Sequence, residues 1–219
     1  RISLKRLNKC FVNVSDDVLR VELVYPKQGY TSAEKESEYE HMAVQYALRH
    51  CHSDILTRLY KSYDNYHIGH IGIGGASIQI SCAQSNILHH MLFPYAFTVP
   101  KAYSKIRTLL NTYPTMRMPR GVYFAIESCY WLIREMYEVM NRPEANFTNR
   151  EIEVRLLEQD LSTYIQLCKT KQCDVRNRCS ANILRLLLRQ VFTPNSYMVI
   201  MRHDYCGGEM TWPLGRLMV

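Results

Sequence analysis

This chain is short of the signals that mark chemistry, membranes or nucleic acid. None of its eight cysteines forms a C-x-x-C pair, which disfavours zinc fingers and redox dithiols. It has no G-x-S-x-G and no H-E-x-x-H, so no local motif groups a nucleophile with a base or two histidines around a metal. No run approaches the roughly 20 apolar residues of a membrane span, and no membrane association is expected. The opening RISLKRLNKC has charges with no apolar core region after them, so no secretory signal is expected. Internal repeats and low-complexity stretches are also missing. Basic residues outnumber acidic ones 27 to 20, but they are spread along the chain rather than gathered into runs. That spread disfavours nucleic acid as a partner.

What is present is a chain of 219 residues with a net charge of +7, suited to one domain or two small ones. That length buries a real core without help from disulfides. Arginine supplies 18 of the 27 basic residues, and tyrosine is abundant at 16. Both are favoured at contact surfaces, where they bury area and still make polar contacts.

The stretch Gly121 to Met140, GVYFAIESCYWLIREMYEVM, stands out. Val122, Ile126, Cys129, Ile133, Met136 and Met140 recur at spacings of four and three, which predicts one long core helix. Ahead of it, residues 10–25 read as a β-hairpin, with Ser15-Asp16-Asp17 as the turn and Leu19, Val21, Leu23 and Tyr25 alternating. Thr31 and Glu34 have capping-box spacing, so a helix is predicted after them, its first turns polar and acidic through Glu40. Asn86 to Phe93 reads as a short helix or turn, and Ala102 to Leu110 as a helix. Thr148 and Glu151 form a second capping box for a helix carrying Val154, Leu157, Leu161, Tyr164 and Cys168. Thr170 to Arg178 is polar and expected to be exposed, with Ser180 capping a last helix and Tyr197 to Met201 forming a strand. The fold class expected is α+β, predominantly α-helical. Residues 1–100 form an N-terminal α+β part with the hairpin and short strands. Residues 101–219 form a helical part ending in a C-terminal docking tail. The proline-spaced stretch between the two serves as a boundary, or as a hinge within a single domain.

The glycines of IGHIGIGGASIQI, residues 68–80, invite a nucleotide-loop reading. Neither phosphate fingerprint is present, because G-x-G-x-x-G and G-x-x-x-x-G-K-[ST] are both absent. Ile71, Ile73, Ile78 and Ile80 read instead as strand residues, with glycine permitting close backbone approach. Gly72 to Gly75 resembles the Ile-Gly-Gly turn of the RNA-capping methyltransferases of positive-strand RNA viruses. His70 and Ile71 stand where that family has an acid. The resemblance implies an alternative function as a nucleic-acid-binding or RNA-capping viral protein.

Possible ligand clusters are read as incidental. Cys51 lies between His50 and His52, and His89 adjoins His90, but neighbouring side chains on a helix diverge. His203-Asp204 near Cys206 is the nearest approach to a catalytic group. No catalytic residue, metal ligand or cofactor is therefore expected. The cysteines divide by context. Cys10, Cys173, Cys179 and Cys206 lie in polar or terminal stretches and are candidates for interchain disulfides. Cys129 and Cys168 face apolar stripes and are expected to be buried thiols.

In overall character, with Tyr113-Pro114-Thr115, Arg117, Arg120 and Tyr123 among the scattered points of similarity, the chain resembles the occlusion-body proteins (polyhedrins) of insect viruses, the nudivirus type above all. The resemblance implies a structural protein, not an enzyme, that self-assembles into a crystalline, disulfide-stabilised matrix. Its partners would be its own copies and the embedded virions, inside an occlusion body of the infected host cell. Tyrosine and cysteine titrate near ~10 and ~8.5. Such a matrix would therefore be expected to dissolve in alkali.

Overall fold

The stretch GVYFAIESCYWLIREMYEVM is not one helix. Its first seven residues are a strand, and the helix begins only at Ser128. The strand is buried on both faces, from Gly121 to Ile126. Such a strand has no polar alternation to betray it, so a continuous apolar run carries helical and extended periodicities equally well.

The computed structural model describes residues 33–50, 67–73, 77–84, 87–94, 99–112, 117–143, 149–171 and 173–201. These fall in one compact unit, Ser32–Val219. In chain order the elements are helix α1 (Ala33–His50), strands β1 (His67–Ile73), β2 (Ser77–Gln84) and β3 (Ile87–Pro94), helix α2 (Val99–Thr112), strand β4 (Gly121–Glu127), helix α3 (Ser128–Val139), strand β5 (Asn149–Glu153), helices α4 (Val154–Leu167) and α5 (Val175–Gln190), and strand β6 (Tyr197–Met201). The six strands form one sheet in the order β3-β2-β1-β4-β6-β5. β1 to β3 are an antiparallel meander. β1, β4 and β6 run parallel, and β5 closes the edge antiparallel to β6. The expectation of a predominantly helical protein is corrected accordingly: the centre of the molecule is a mixed sheet with helices on both sides. The expected boundary near residue 100 falls at α2, between the two halves of this one sheet. The expected hairpin at residues 10–25 and the tail after Met201 lie outside the described residues.

Strand alternation sorts the side chains onto two faces. Ile71, Ile73, Ile78, Ile80, Cys82, Tyr123, Ala125, Met198 and Ile200 point to one face and pack with α2, α3, α4 and α5 in the main core. Val122, Phe124, Ile126 and Val199 point to the other face and meet Val44 and Ala47 of α1. The same alternation turns His70, Gly72, Gln79 and Ser81 toward α1.

Three further expectations change. Residues 87–94 are a strand, not a helix. Asn149–Glu153 is a strand too, so the helix starts at Val154 rather than beside Thr148. The last helix starts at Val175, capped by Asp174, whose Oδ1 accepts from the backbone N–H groups of Arg176 and Asn177 at 2.7 and 3.2 Å. Asp174 is a better N-cap than the expected Ser180 because it satisfies two orphan donors at once. The amphipathic pattern of Val154, Leu157, Leu161, Tyr164 and Cys168 does lie on one buried stripe.

Tyrosines tie the helical layer together instead of decorating a contact surface. Tyr123 is fully buried, packs edge-to-face on Phe192 at 4.7 Å and donates to the Pro119 carbonyl at 2.6 Å. Tyr137 donates to Asp160 at 3.0 Å and Tyr164 to Glu135 at 3.1 Å. Burial holds the Tyr123 and Tyr164 phenols well above the usual tyrosine range. These two do not supply the charge that alkaline dissolution would need near pH 10.

Candidate functional site

α1 crosses the sheet over β1 and β2, and a chain of polar groups is buried between them. Gln45 Nε2 lies 3.0 Å from His41 Nε2, and His41 Nδ1 lies 3.5 Å from Ser81 Oγ. Ser81 Oγ lies 2.9 Å from His70 Nδ1, and His70 Nε2 lies 2.8 Å from Glu40 Oε2. An amide nitrogen only donates, so His41 accepts at Nε2 and carries its proton on Nδ1. Ser81 then accepts from His41 and donates to His70, whose Nε2–H donates to Glu40. Each bond in such a one-way chain polarises the next. Burial first, and the electrostatic influence of the neighbouring His70 second, push His41 down to about 4, so it stays neutral at physiological pH.

A serine, a histidine and a glutamate in series suggest a nucleophilic triad. Here Ser81, His70 and Glu40 are all fully buried. A nucleophile that no substrate can touch does no acyl chemistry. The series instead fixes where the Glu40 carboxylate sits.

That position is beside two more carboxylates. Glu36, Glu40 and Glu127 each offer an oxygen, and these oxygens all lie within 4.8 Å of one another. Glu36 and Glu40 come from successive turns of α1, a spacing at which like charges repel. Gln79 donates to Glu36 at 3.1 Å. Burial raises the Glu36 carboxyl above its ordinary value, against the lowering effect of Gln79. Burial, and then the charge of Glu36, push Glu40 up to about 8. Gly72 on β1 makes the room. A Cβ there would stand 3.1 and 3.3 Å from the Glu40 carboxylate oxygens.

Glu127 reaches the cluster from the sheet. It ends β4, in register with Ile73 at the end of the parallel strand β1, and α3 starts at the next residue. Its backbone has φ 53° and ψ −133°, a conformation that L residues other than glycine rarely hold. Strain of this kind costs on the order of 1–3 kcal/mol and persists where the surroundings enforce it. The cluster therefore sits at the carboxyl ends of two parallel strands, the place where open α/β sheets bind ligands. All three donors are hard oxygens of the type that suits divalent cations.

None of these residues was singled out in the sequence. Glu36 and Glu40 read as part of the polar, acidic first turns of a helix, and Glu127 falls inside the stretch that reads as one long core helix. The i, i+4 acid pair on α1 was the one available signal. The residues that were singled out lie elsewhere. Cys168 and Cys173 are disulfide-bonded to each other, with Cα atoms 5.2 Å apart. That corrects both expectations, since Cys173 is not available to a second chain and Cys168 carries no thiol. Cys179 is a half-buried free thiol, and Cys129 a fully buried one whose titration burial pushes up. Cys10, Cys51 and Cys206 lie outside the described residues, as do Gly74, Gly75 and the His203-Asp204 pair. His89 and His90 stand on β3, opposite Cys82 and Ser81 in register.

No family model and no curated protein matches the sequence. Solved structures do match the fold. One Aquifex aeolicus Ppx/GppA enzyme structure is similar at a TM-score of 0.51 and 10% identity, over 84% of this chain and 62% of the other. A second structure, the type II variant of the Aquifex aeolicus Ppx/GppA phosphatase, is similar at 0.53 and 10% identity, over 86% and 65%. The match thus spans less than two thirds of either of those proteins. At this identity the likeness is one of fold. It overturns the resemblance to polyhedrins, and with it the expectation of a non-enzymatic viral matrix protein, because the architecture is one that phosphatase enzymes use. The RNA-capping alternative rested on the glycine turn, of which Gly74 and Gly75 lie outside the described residues.

Proposed function

We propose that this chain is a hydrolase acting on phosphoryl groups, with its reaction centre at Glu36, Glu40 and Glu127. The observation that carries the reading is the placement of Glu127. A carboxylate is held in a strained strand-to-helix junction, at the carboxyl end of a parallel strand and beside two other carboxylates. The architecture shared with Ppx/GppA phosphatase structures supplies the reaction class.

Glu127 is half-buried, so it keeps contact with solvent while its neighbours restrict it. A carboxylate so placed accepts a proton from an attacking water, a role worth roughly 10²–10⁴ in rate. Glu40 is fully buried and does not touch substrate. It and Glu36 set the local field in which Glu127 works. The test is phosphate release from p-nitrophenyl phosphate, pyrophosphate and inorganic polyphosphate. Turnover of at least one of them, lowered about 100-fold or more in Glu127→Gln with its fold intact, is the expected result. No release from any of the three, or a Glu127→Gln rate equal to the parent's, would sink the reading.

A further inference from the structure

Three carboxylates facing a phosphoryl group present an electrostatic problem. The substrate is an anion, and phosphoryl transfer in proteins relies on cations or arginines to carry its charge. We propose that Glu36, Glu40 and Glu127 together hold one divalent cation of the hard, oxygen-seeking kind, Mg²⁺ or Mn²⁺. The phosphoryl substrate rests on the hydrolase reading above, but the cation site stands on geometry of its own.

The first observation is the spacing. Oxygens around an octahedral Mg²⁺ at about 2.1 Å lie about 3 Å apart when adjacent and about 4.2 Å apart when opposite. The three glutamate oxygens already lie within 4.8 Å of one another, so closing on an ion needs only side-chain adjustments. The second observation is independent of it. Glu40 is fully buried and its Oε2 is taken by His70, while Oε1 has no hydrogen-bond partner among the described residues. A buried carboxylate oxygen left unpaired is costly, and coordination to a cation removes that cost.

The surroundings fit the same ion. Gly72 leaves open the space against the Glu40 carboxylate that any side chain would fill. His70, itself held by Ser81, fixes the orientation of the carboxylate, as outer-shell groups do around metal ligands. Glu36 has Gln79 on one oxygen. Water completes the coordination of Mg²⁺ at sites that supply only a few carboxylates.

The test is ion binding by the full chain, measured by calorimetry with Mg²⁺, Mn²⁺ and Ca²⁺ and by Tb³⁺ luminescence with displacement by each. One ion per chain is expected, bound at or below about 1 mM. Glu36→Gln and Glu40→Gln are each expected to weaken it at least about tenfold. Glu138→Gln, which removes an exposed carboxylate paired with Arg134, should leave it unchanged. Circular dichroism of each variant separates lost binding from lost fold, and Glu36→Gln, at a half-buried position, is the variant expected to fold if Glu40→Gln does not. No ion bound by the parent, or undiminished binding in Glu36→Gln, overturns the site. Ion binding without phosphate release would sink the hydrolase reading and leave the site standing. Phosphate release undiminished in a chelator, together with no ion bound by the parent, would do the reverse.

Discussion

Replacing Glu40 with glutamine should make the cation-free protein more stable, and by an amount that depends on pH. Glu40 is fully buried beside Glu36, and the two effects push its carboxyl from 4.5 up to about 8. A group whose folded value lies above its unfolded one contributes its full stability below the unfolded value. It loses that contribution as pH rises toward the folded value. Between 4.5 and neutrality the unfolded chain ionises freely while the folded chain must either keep the proton or bury a charge. At about 1.4 kcal/mol per pH unit, the folded state is penalised by roughly 3 kcal/mol at pH 7. Glutamine does not titrate, keeps the length of the side chain and still accepts from His70 Nε2–H. Glu40→Gln should therefore match the parent near pH 4.5, exceed it by roughly 3 kcal/mol at pH 7, and gain nothing further above about pH 8. The titration of His41 is common to both proteins and cancels in the difference.

The assay is urea denaturation followed by circular dichroism across that range, in a chelating buffer. Equal stability at pH 7 would refute the claim that Glu40 is a strained buried acid. So would a difference that does not change with pH, which would trace to packing. Adding Mg²⁺ should narrow that difference. An ion present at 100 times the parent's dissociation constant stabilises the parent by about 2.7 kcal/mol, against about 1.4 kcal/mol or less for a variant that binds it at least tenfold more weakly.

Glu127→Gly should remove backbone strain at φ 53° and abolish phosphate release. Relief of roughly 1–3 kcal/mol, less the entropy that glycine loses on folding, leaves a net gain of about 1 kcal/mol in urea denaturation; a loss would mean that the conformation is not strained. The disulfide between Cys168 and Cys173 closes a loop with a sequence separation of only 5. Cys173→Ser should therefore cost about 2 kcal/mol by the loop-entropy relation. Peptide mapping of the parent without reductant should recover Cys168 and Cys173 in one linked fragment, and two free thiols at these positions would contradict the intrachain bond.

Some of this protein was legible in its residues alone. The helical stripe Val154, Leu157, Leu161 and Tyr164 and the alternating Ile71, Ile73, Ile78 and Ile80 each show a clean period, because each faces a core on one side and something polar or a turn on the other. The strand Gly121–Ile126 shows no such period, since both of its faces are covered, one by α1 and one by α3 to α5. Its identity was settled by its neighbours β1 and β6, whose paired residues lie 54 positions before it and 75 after it. The site was hidden for the same reason. Glu36 and Glu40 advertise only a solvated first turn, and Glu127 only a charge in an apolar run. Local sequence decided which stretches could pack, through the period of their apolar side chains. Tertiary structure alone decided that three acids meet, because only sheet register brings the end of β4 beside β1, and only the docking of α1 over Gly72 brings its acids to that end.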